Sequence, residues 1–240
     1  MITIKNLTLG YDKHPVVHHL NAEINIGDSI AIVGPNGGGK STLLKGLMGL
    51  IKPMDGEINH AFSRNQIAYL PQISSIDKTF PISAYELIAS GLWHKTGWFK
   101  RYTNEDKSLI EKAIIQVGLC GMQNEPLEAL SGGQIQRALF ARLILQNANF
   151  ILLDEPFNAI DYKTTIELLS IIKHWKKQNK TILAVLHNYQ HVKENFEKTL
   201  IIAREIIDYG DTQEVLNESN INKAFNIRTY PHEHASICSR

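Results

Sequence analysis

Three groups of residues have the types and spacing to act on a phosphorylated molecule. The first is Gly34, Pro35, Asn36, Gly37, Gly38, Gly39, Lys40 and Ser41, which matches the phosphate-loop pattern G-x-x-x-x-G-K-[ST] in full. Glycines let the backbone turn where a side chain would clash, so that successive amide N–H groups point at one anion. A helix opening near Lys40 adds the positive end of its dipole. Lys40 then reaches the β- and γ-phosphates as a point charge, and the Ser41 hydroxyl is a ligand for Mg²⁺. The second group is Asp154 and Glu155, which end the apolar run Phe150, Ile151, Leu152 and Leu153. Adjacent acids there are costly unless a cation or hydrogen bonds compensate them. Asp154 suits Mg²⁺, held directly or through water, and Glu155 suits orienting and deprotonating an attacking water. The third group is Ser131, Gly132, Gly133 and Gln134. A hydroxyl and free amides at a helix start make a second anion cradle. A capped helix start alone would explain Ser131 but would not demand two glycines, which are poor helix formers.

The elements that must position these groups alternate in type. Residues 30–33 read as a strand and the Leu43, Leu44, Leu47 spacing as a helix that stops at Gly49 and Pro53. Upstream, the apolar residues Ile2, Ile4, Leu7 and Leu9, the turn signals of 12–15 and the alternation over 16–26 predict an antiparallel ribbon. Residues 54–57 read as a turn, and 66–72 as a buried strand with Gln72 at its exit. Helical periodicity over 83–91, 104–118 and 131–146 marks a helical insertion at about 80–147. Residues 150–156 suit a central parallel strand, 161–178 a helix, and 181–187 a second buried strand ending in His187. Residues 199–203 and 206–209 read as edge strands, and the tail after Tyr230 as loose. Ligands bind beyond the carboxyl ends of strands in such sheets. His187 stands at such an end and is read as functional, although a lone histidine is also a common structural residue. Tyr11, at the end of the ribbon, is either a ring for stacking on a base or an ordinary strand-end aromatic.

Composition narrows the class. The 240 residues suit one α/β unit with a substantial core. Lys+Arg is 25 and Asp+Glu 24, a formal charge of +1, so no global basic field draws the chain to nucleic acid or anionic lipid. Cys120 and Cys238 cannot build a disulfide framework and suit a reducing cytosol. The N-terminus lacks signal-peptide organisation, and no uncharged apolar stretch approaches the ~18 residues of a membrane span. Membrane association is therefore expected to come through a partner.

With LSGGQ at Leu130 to Gln134, the phosphate loop and the Asp154-Glu155 pair, nearly the whole chain resembles the nucleotide-binding subunit of ATP-binding cassette (ABC) transporters. The resemblance implies an α/β P-loop NTPase fold, with an N-terminal antiparallel β-subdomain, a nucleotide-binding core at 1–79 and 148–240, and a helical signature subdomain at 80–147. It places the adenine-stacking aromatic at Tyr11 and the phosphate contacts at Gly34, Pro35, Asn36, Gly37, Gly38, Gly39, Lys40, Ser41 and Thr42. The glutamine joining core to insert falls on Gln72, the loop after the acids on Asn158, Ala159, Ile160 and Asp161, and the γ-phosphate histidine on His187. By the same likeness Mg²⁺ is held by Ser41, Gln72 and Asp154, and ATP is sandwiched in a head-to-tail homodimer between one phosphate loop and the other copy's Ser131, Gly132, Gly133 and Gln134. Catalysis then belongs to Glu155 as base, with His187, Lys40 and Gln72. The chain departs from the family at Gly38, where Ser or Ala is common, at Asn158 to Asp161, where Ser-Ala-Leu-Asp is common, and at Asn188, where an aspartate is usual. None removes a group that touches phosphate, though the dimer contact of residues 158–161 is open to alteration.

The stretch 91–102, GLWHKTGWFKRY, interleaves Trp93, Trp98, Phe99 and Tyr102 with Lys95, Lys100 and Arg101. It is read as a docking face, the alternatives being a nucleic-acid surface or a loop clamped by its own aromatics. Its pattern is similar to ATPases that serve manganese, zinc and iron-chelate importers. That likeness implies membrane permease partners, indirectly an extracytoplasmic solute-binding protein, a place on the cytoplasmic face of the membrane, and no nucleic acid. A soluble cassette ATPase acting on nucleic acid or ribosomes, and an exporter subunit, are the rival readings. His232, Glu233, His234 and Cys238 are metal-ligand types whose spacing matches no closed zinc site.

Overall fold

The computed structural model describes residues 1–60, 62–97 and 101–226. In chain order the elements are β1 (Ile2–Tyr11), β2 (His14–Ile24), β3 (Ser29–Val33), α1 (Lys40–Leu47), β4 (Asp55–His60), β5 (Ile67–Leu70), α2 (Ala84–Ala89), α3 (Trp93–Thr96) and α4 (Asn104–Gln116). They continue with α5 (Gly132–Gln146), β6 (Phe150–Asp154), α6 (Tyr162–Lys177), β7 (Thr181–Val185), α7 (Tyr189–Asn195), β8 (Lys198–Ala203), β9 (Glu205–Asp211), α8 (Thr212–Val215) and α9 (Glu218–Asn226). They fall into two units, Met1–Arg64 with Asn179–Arg240, and Asn65–Gln178. Trp98, Phe99 and Lys100, and the tail with His232, Glu233, His234 and Cys238, lie outside the described residues.

In the first unit β1 pairs antiparallel with β2, as the alternation predicts, and with β4 on its other side. The buried positions of β1 switch from even (Ile2, Ile4) to odd (Leu7, Leu9), and the register shifts between Ile4 and Leu7. Asn6 makes the switch with φ at 45°, the extra residue of a bulge. Its amide donates to Asn21 Oδ1 at 2.9 Å, so the interrupted ladder leaves that N–H satisfied. Residues 54–57, expected as a turn, instead lead into β4, with Ile4 opposite Ile58 and Thr8 opposite Asp55. Asp, Gly and Glu are weak strand formers, and pairing with β1 overrides that local preference.

The same unit holds a mixed sheet in the order β7-β3-β8-β9, parallel across β7, β3 and β8 and antiparallel at β9. All five residues of β3 and all five of β7 are buried, which is why both read as unbroken apolar runs. The strand expected over 181–187 ends at Val185, with Leu186 donating to the Ile32 carbonyl at 3.1 Å before the chain leaves. Residues 199–203, expected at an edge, lie inside this sheet: β8 runs between β3 and β9 with only Lys198 part-exposed. The half-buried β9 is the outer strand. The short helices α7, α8 and α9 had no periodic run long enough to announce them.

In the second unit β5 and β6 pair in parallel, with Leu70 opposite Leu153. Pro71 has no amide to donate and ends β5 two residues before the expected strand exit. The helices begin where side chains satisfy their open amides: Ser83, Thr103 and Ser131 each form a reciprocal capping box, and Asp161 caps α6. After α2 the chain continues through a 3-10 turn, Ser90–Leu92, into α3. Helix α5 buries residues on nearly every face, Ile135, Leu139, Phe140 and Leu143 among them. Phe140 stacks on Trp175 of α6 with ring centroids 5.8 Å apart and planes 3° from parallel. Phe140→Ala removes that stack and opens a cavity, and should lower unfolding free energy by about 3–5 kcal/mol in urea titrations followed by tryptophan fluorescence. A loss below about 1 kcal/mol would mean that the site collapses freely.

Candidate functional site

The phosphate loop lies in the first unit, directly after β3. At Gly34 and Gly38 its backbone packs against backbone, and at Gly39 against the Val17 side chain of β2. A Cβ on Gly34, where φ is 150°, would stand 1.9 Å from the Ile202 carbonyl oxygen of β8. One on Gly38 would press the Pro35 and Ile202 oxygens at 2.9 and 3.0 Å. Gly38 is therefore suited to this chain's own close packing. Gly38 donates to Pro35 O at 3.1 Å and accepts from the Arg204 amide at 2.9 Å, while Arg204 O accepts from the His18 amide at 2.9 Å. The β8–β9 turn thus braces the loop against β2.

Lys40 opens α1 and is 5% exposed, and its ammonium donates to Gly34 O at 2.9 Å and Pro35 O at 2.8 Å. Both bonds span the loop and hold the charge across its mouth, which suits an ammonium that must meet phosphate oxygens. Ser41 and Thr42 follow in the first turn of α1, next to the amide-rich helix start. His187 is exposed two residues past β7, and the register of Ile32 with Val185 puts it at the same sheet end as Gly34. Asn188 caps α7 through Oδ1, accepting from the Gln190 and His191 amides at 2.9 and 3.1 Å. An aspartate would cap there equally, so the departure at this position leaves the local fold intact. Tyr11 is 46% exposed at the tip of the β1–β2 ribbon.

The second unit holds Gln72, the acids and the serine-glycine-glycine turn. Gln72 follows β5 and starts a 3-10 turn, its carbonyl accepting from Ser75 Oγ at 2.7 Å. Because β5 and β6 are adjacent and parallel, Gln72 and Asp154 leave the same end of the pair. Asp154 is buried and accepts from Tyr69 Oη at 3.2 Å. Glu155 has φ at 51°, in the left-handed region that costs a non-glycine residue free energy. It is part-exposed, and Asn158 Nδ2 donates to its Oε2 at 3.0 Å.

Ser131 is exposed and caps α5, accepting from the Gln134 amide at 3.3 Å while Gln134 Oε1 accepts from the Ser131 amide at 2.8 Å. Gly132 and Gly133 form the first turn of α5 beside residues 159–164. A Cβ on either would meet only ordinary contacts, the nearest being Ala159 O at 3.8 Å and Asp161 Oδ2 at 3.9 Å. The Thr164 amide and hydroxyl, donating at 2.9 and 2.7 Å, hold the Asp161 carboxyl below the usual carboxylate range. Arg137, three residues after Gln134, donates to Val117 O at 2.7 Å and Thr164 Oγ1 at 3.0 Å, tying α5 to α4 and α6. Sequence reasoning missed Gln136, whose buried Nε2 donates to Pro156 O at 2.6 Å, and the hold of Asn158 on Glu155. The available signal was an amide side chain three residues after an acid at a turn.

Among the described residues no three His, Cys, Asp or Glu side chains gather to hold a metal ion. The oxygen donors Ser41, Gln72 and Asp154, with one carboxylate among them, are of the kind a hard cation such as Mg²⁺ takes.

Gly34 and Gly37 separate sharply in what they require. Gly34→Ala drives a Cβ into a backbone carbonyl and should abolish detectable binding of a fluorescent nucleoside triphosphate. Gly37→Ala faces open space at φ 75°, so only backbone strain of about 1–2 kcal/mol opposes it and affinity should fall no more than about thirtyfold. Unchanged affinity in Gly34→Ala would refute the close approach to β8.

Residues 17–158 match the ABC transporter family. A manganese transport system ATP-binding protein, MntB of Halalkalibacterium halodurans, is 33% identical over 96% of this chain and 94% of its own length. A zinc transport system ATP-binding protein, TroB of Treponema pallidum, is 34% identical over 93% of this chain and 86% of its own. Among solved structures, an inward-facing ABC transporter described as of metal-chelate type superposes with a TM-score of 0.81 at 29% identity, covering 93% of this chain and 88% of that one. A dimeric bacterial ABC transporter cassette gives 0.77 at 25% identity, covering 88% and 99%. The α/β P-loop NTPase fold expected from the sequence is the fold of these cassettes. With a family match across more than half its residues and relatives one-third identical over almost all of them, the chain belongs to the ABC transporter family.

Proposed function

We propose that this chain binds and hydrolyses ATP as the energy-coupling subunit of an importer for a divalent metal, manganese or zinc, or for an iron chelate. The observation that carries the reading is the loop of residues 34–41, whose backbone lies flush on β8 while Lys40 spans its mouth. That geometry suits a triphosphate, because it combines converging amides, a helix start and a held ammonium. The relatives' names supply the cargo class, manganese in one and zinc in another. The metal is cargo, and its recognition belongs to membrane and solute-binding partners.

In this reading Gly34 to Gly39, Lys40, Ser41 and Thr42 bind the phosphates and Tyr11 stacks on adenine. Ser41, Gln72 and Asp154 hold Mg²⁺, which would neutralise charge on the phosphate oxygens. Glu155 orients the attacking water and takes its proton, and His187 lies at the γ-phosphate. Ser131, Gly132, Gly133 and Gln134 meet the triphosphate held by a second copy, so the working form is a homodimer. The dimeric state of the similar cassette supports this, and so does the room left at Gly132 and Gly133, which the fold of the chain does not need. Residues 1–79 and 148–240 act as the nucleotide-binding core and 80–147 as the helical signature subdomain. No helix among the described residues is long and apolar enough to cross a membrane. The subunit is therefore proposed to sit peripherally on the cytoplasmic face, docked on a permease that receives cargo from an extracytoplasmic solute-binding protein. Residues 91–102 are the proposed docking stretch.

Glu155→Gln should bind ATP with little change in affinity, lose at least about 100-fold in turnover, and accumulate as an ATP-bound dimer in size-exclusion chromatography. Normal turnover in that variant would remove Glu155 as the base.

A further inference from the structure

Glu155 is held at its backbone from both sides. Its φ of 51° sets a sharp exit from β6, and the following peptide is pinned where buried Gln136 donates to Pro156 O at 2.6 Å. The turn closes where the Asn158 amide donates to Glu155 O at 3.2 Å. These contacts fix where the side chain starts. Asn158 supplies a further hold, because its Nδ2 donates to Glu155 Oε2 at 3.0 Å. An ionised carboxylate only accepts hydrogen bonds, so the amide nitrogen is the end of Asn158 that must face it.

Resting on the reading of Glu155 as the base, we propose that Asn158 is a positioning residue for hydrolysis. Its bond to one carboxylate oxygen restricts the rotamers of Glu155 and so helps aim the base at the attacking water. Asn158 contacts the base through both main chain and side chain, three residues on. A serine would carry its donor one bond nearer the backbone and could not reproduce the same reach. Freezing the torsions of a flexible glutamate before the reaction lowers the cost of assembling the reacting geometry, and a misplacement near 1 Å costs about 100-fold.

The test uses the full chain with Asn158→Asp, Asn158→Ala, Glu155→Gln and the double variants. Asparagine and aspartate are matched in shape, but aspartate cannot donate to the glutamate and repels it. Asn158→Asp should lower kcat about 100-fold and Asn158→Ala about tenfold, with the KM for ATP within about twofold in both. Because Asn158 is exposed, the thermal midpoint should stay near that of the parent chain. In the Glu155→Gln background neither change should lower residual single-turnover hydrolysis further, since the group being positioned is already gone. Both double variants should still form the ATP-bound dimer. Parental kcat in Asn158→Asp alongside an inactive Glu155→Gln would overturn this inference and leave the base assignment standing. An active Glu155→Gln would remove the base assignment itself. Losses that multiply in the double variants, or a lost dimer, would put Asn158 at an interface and overturn its positioning role.

Discussion

A backbone loop can be read as an anion cradle only if its amides turn inward, and here that turn is made by laying the loop directly on a neighbouring strand. The approach of Gly34 to the Ile202 carbonyl leaves no volume for a Cβ. With side chains excluded, main-chain hydrogen bonds take over the bracing: His18 donates to Arg204, and Arg204 donates to Gly38. Each bond pairs a main-chain donor with a main-chain acceptor, so loosening the loop would break both. The strand that the loop lies on, β8, is itself held on both sides, by β3 and β9.

The acids of the second unit obey the same economy of buried polar groups. Asp154 ends a fully buried strand and receives the Tyr69 hydroxyl, while Glu155, one residue on, turns out of the strand through a left-handed backbone. Adjacent residues in an extended chain point to opposite faces, so two acids in regular strand geometry could not serve one site. The positive φ at Glu155 breaks that alternation. Its cost, about 1–2 kcal/mol for a residue with a Cβ, is offset by the Gln136 and Asn158 bonds on the next turn.

Most of this site was legible in the sequence because its chemistry constrains residue types at short spacing. The phosphate loop, the acids and the serine-glycine-glycine turn each occupy a few consecutive residues, and Gln72 and His187 follow recognisable apolar runs. What escaped was set by distant pairing. β4 carries turn-forming residues and becomes a strand only because β1 offers an edge. β8 and β9 have similar short apolar patterns, and nothing local says which is flanked on both sides. The bulges at Asn6 and His19 were masked because the even-to-odd slip in β1 still reads as alternation when viewed four residues at a time. The hold of Asn158 on Glu155 depends on the exact backbone torsion of one residue, which composition does not encode.

Glycines in the two cradles carry different information. At Gly34 the fold of the chain itself forbids a side chain, so the residue type says nothing about a visitor. At Gly132 and Gly133 the nearest atoms are 3.8 and 3.9 Å from a built Cβ, and alanine would fit. Alanine would also favour the helix, by as much as about 1 kcal/mol per residue in a helix interior. Two poor helix formers at a part-exposed, well-capped helix start thus have no packing reason inside their own unit. Open amides, a hydroxyl and a helix dipole make an anion the natural occupant, and the bare backbone sets how closely it can approach.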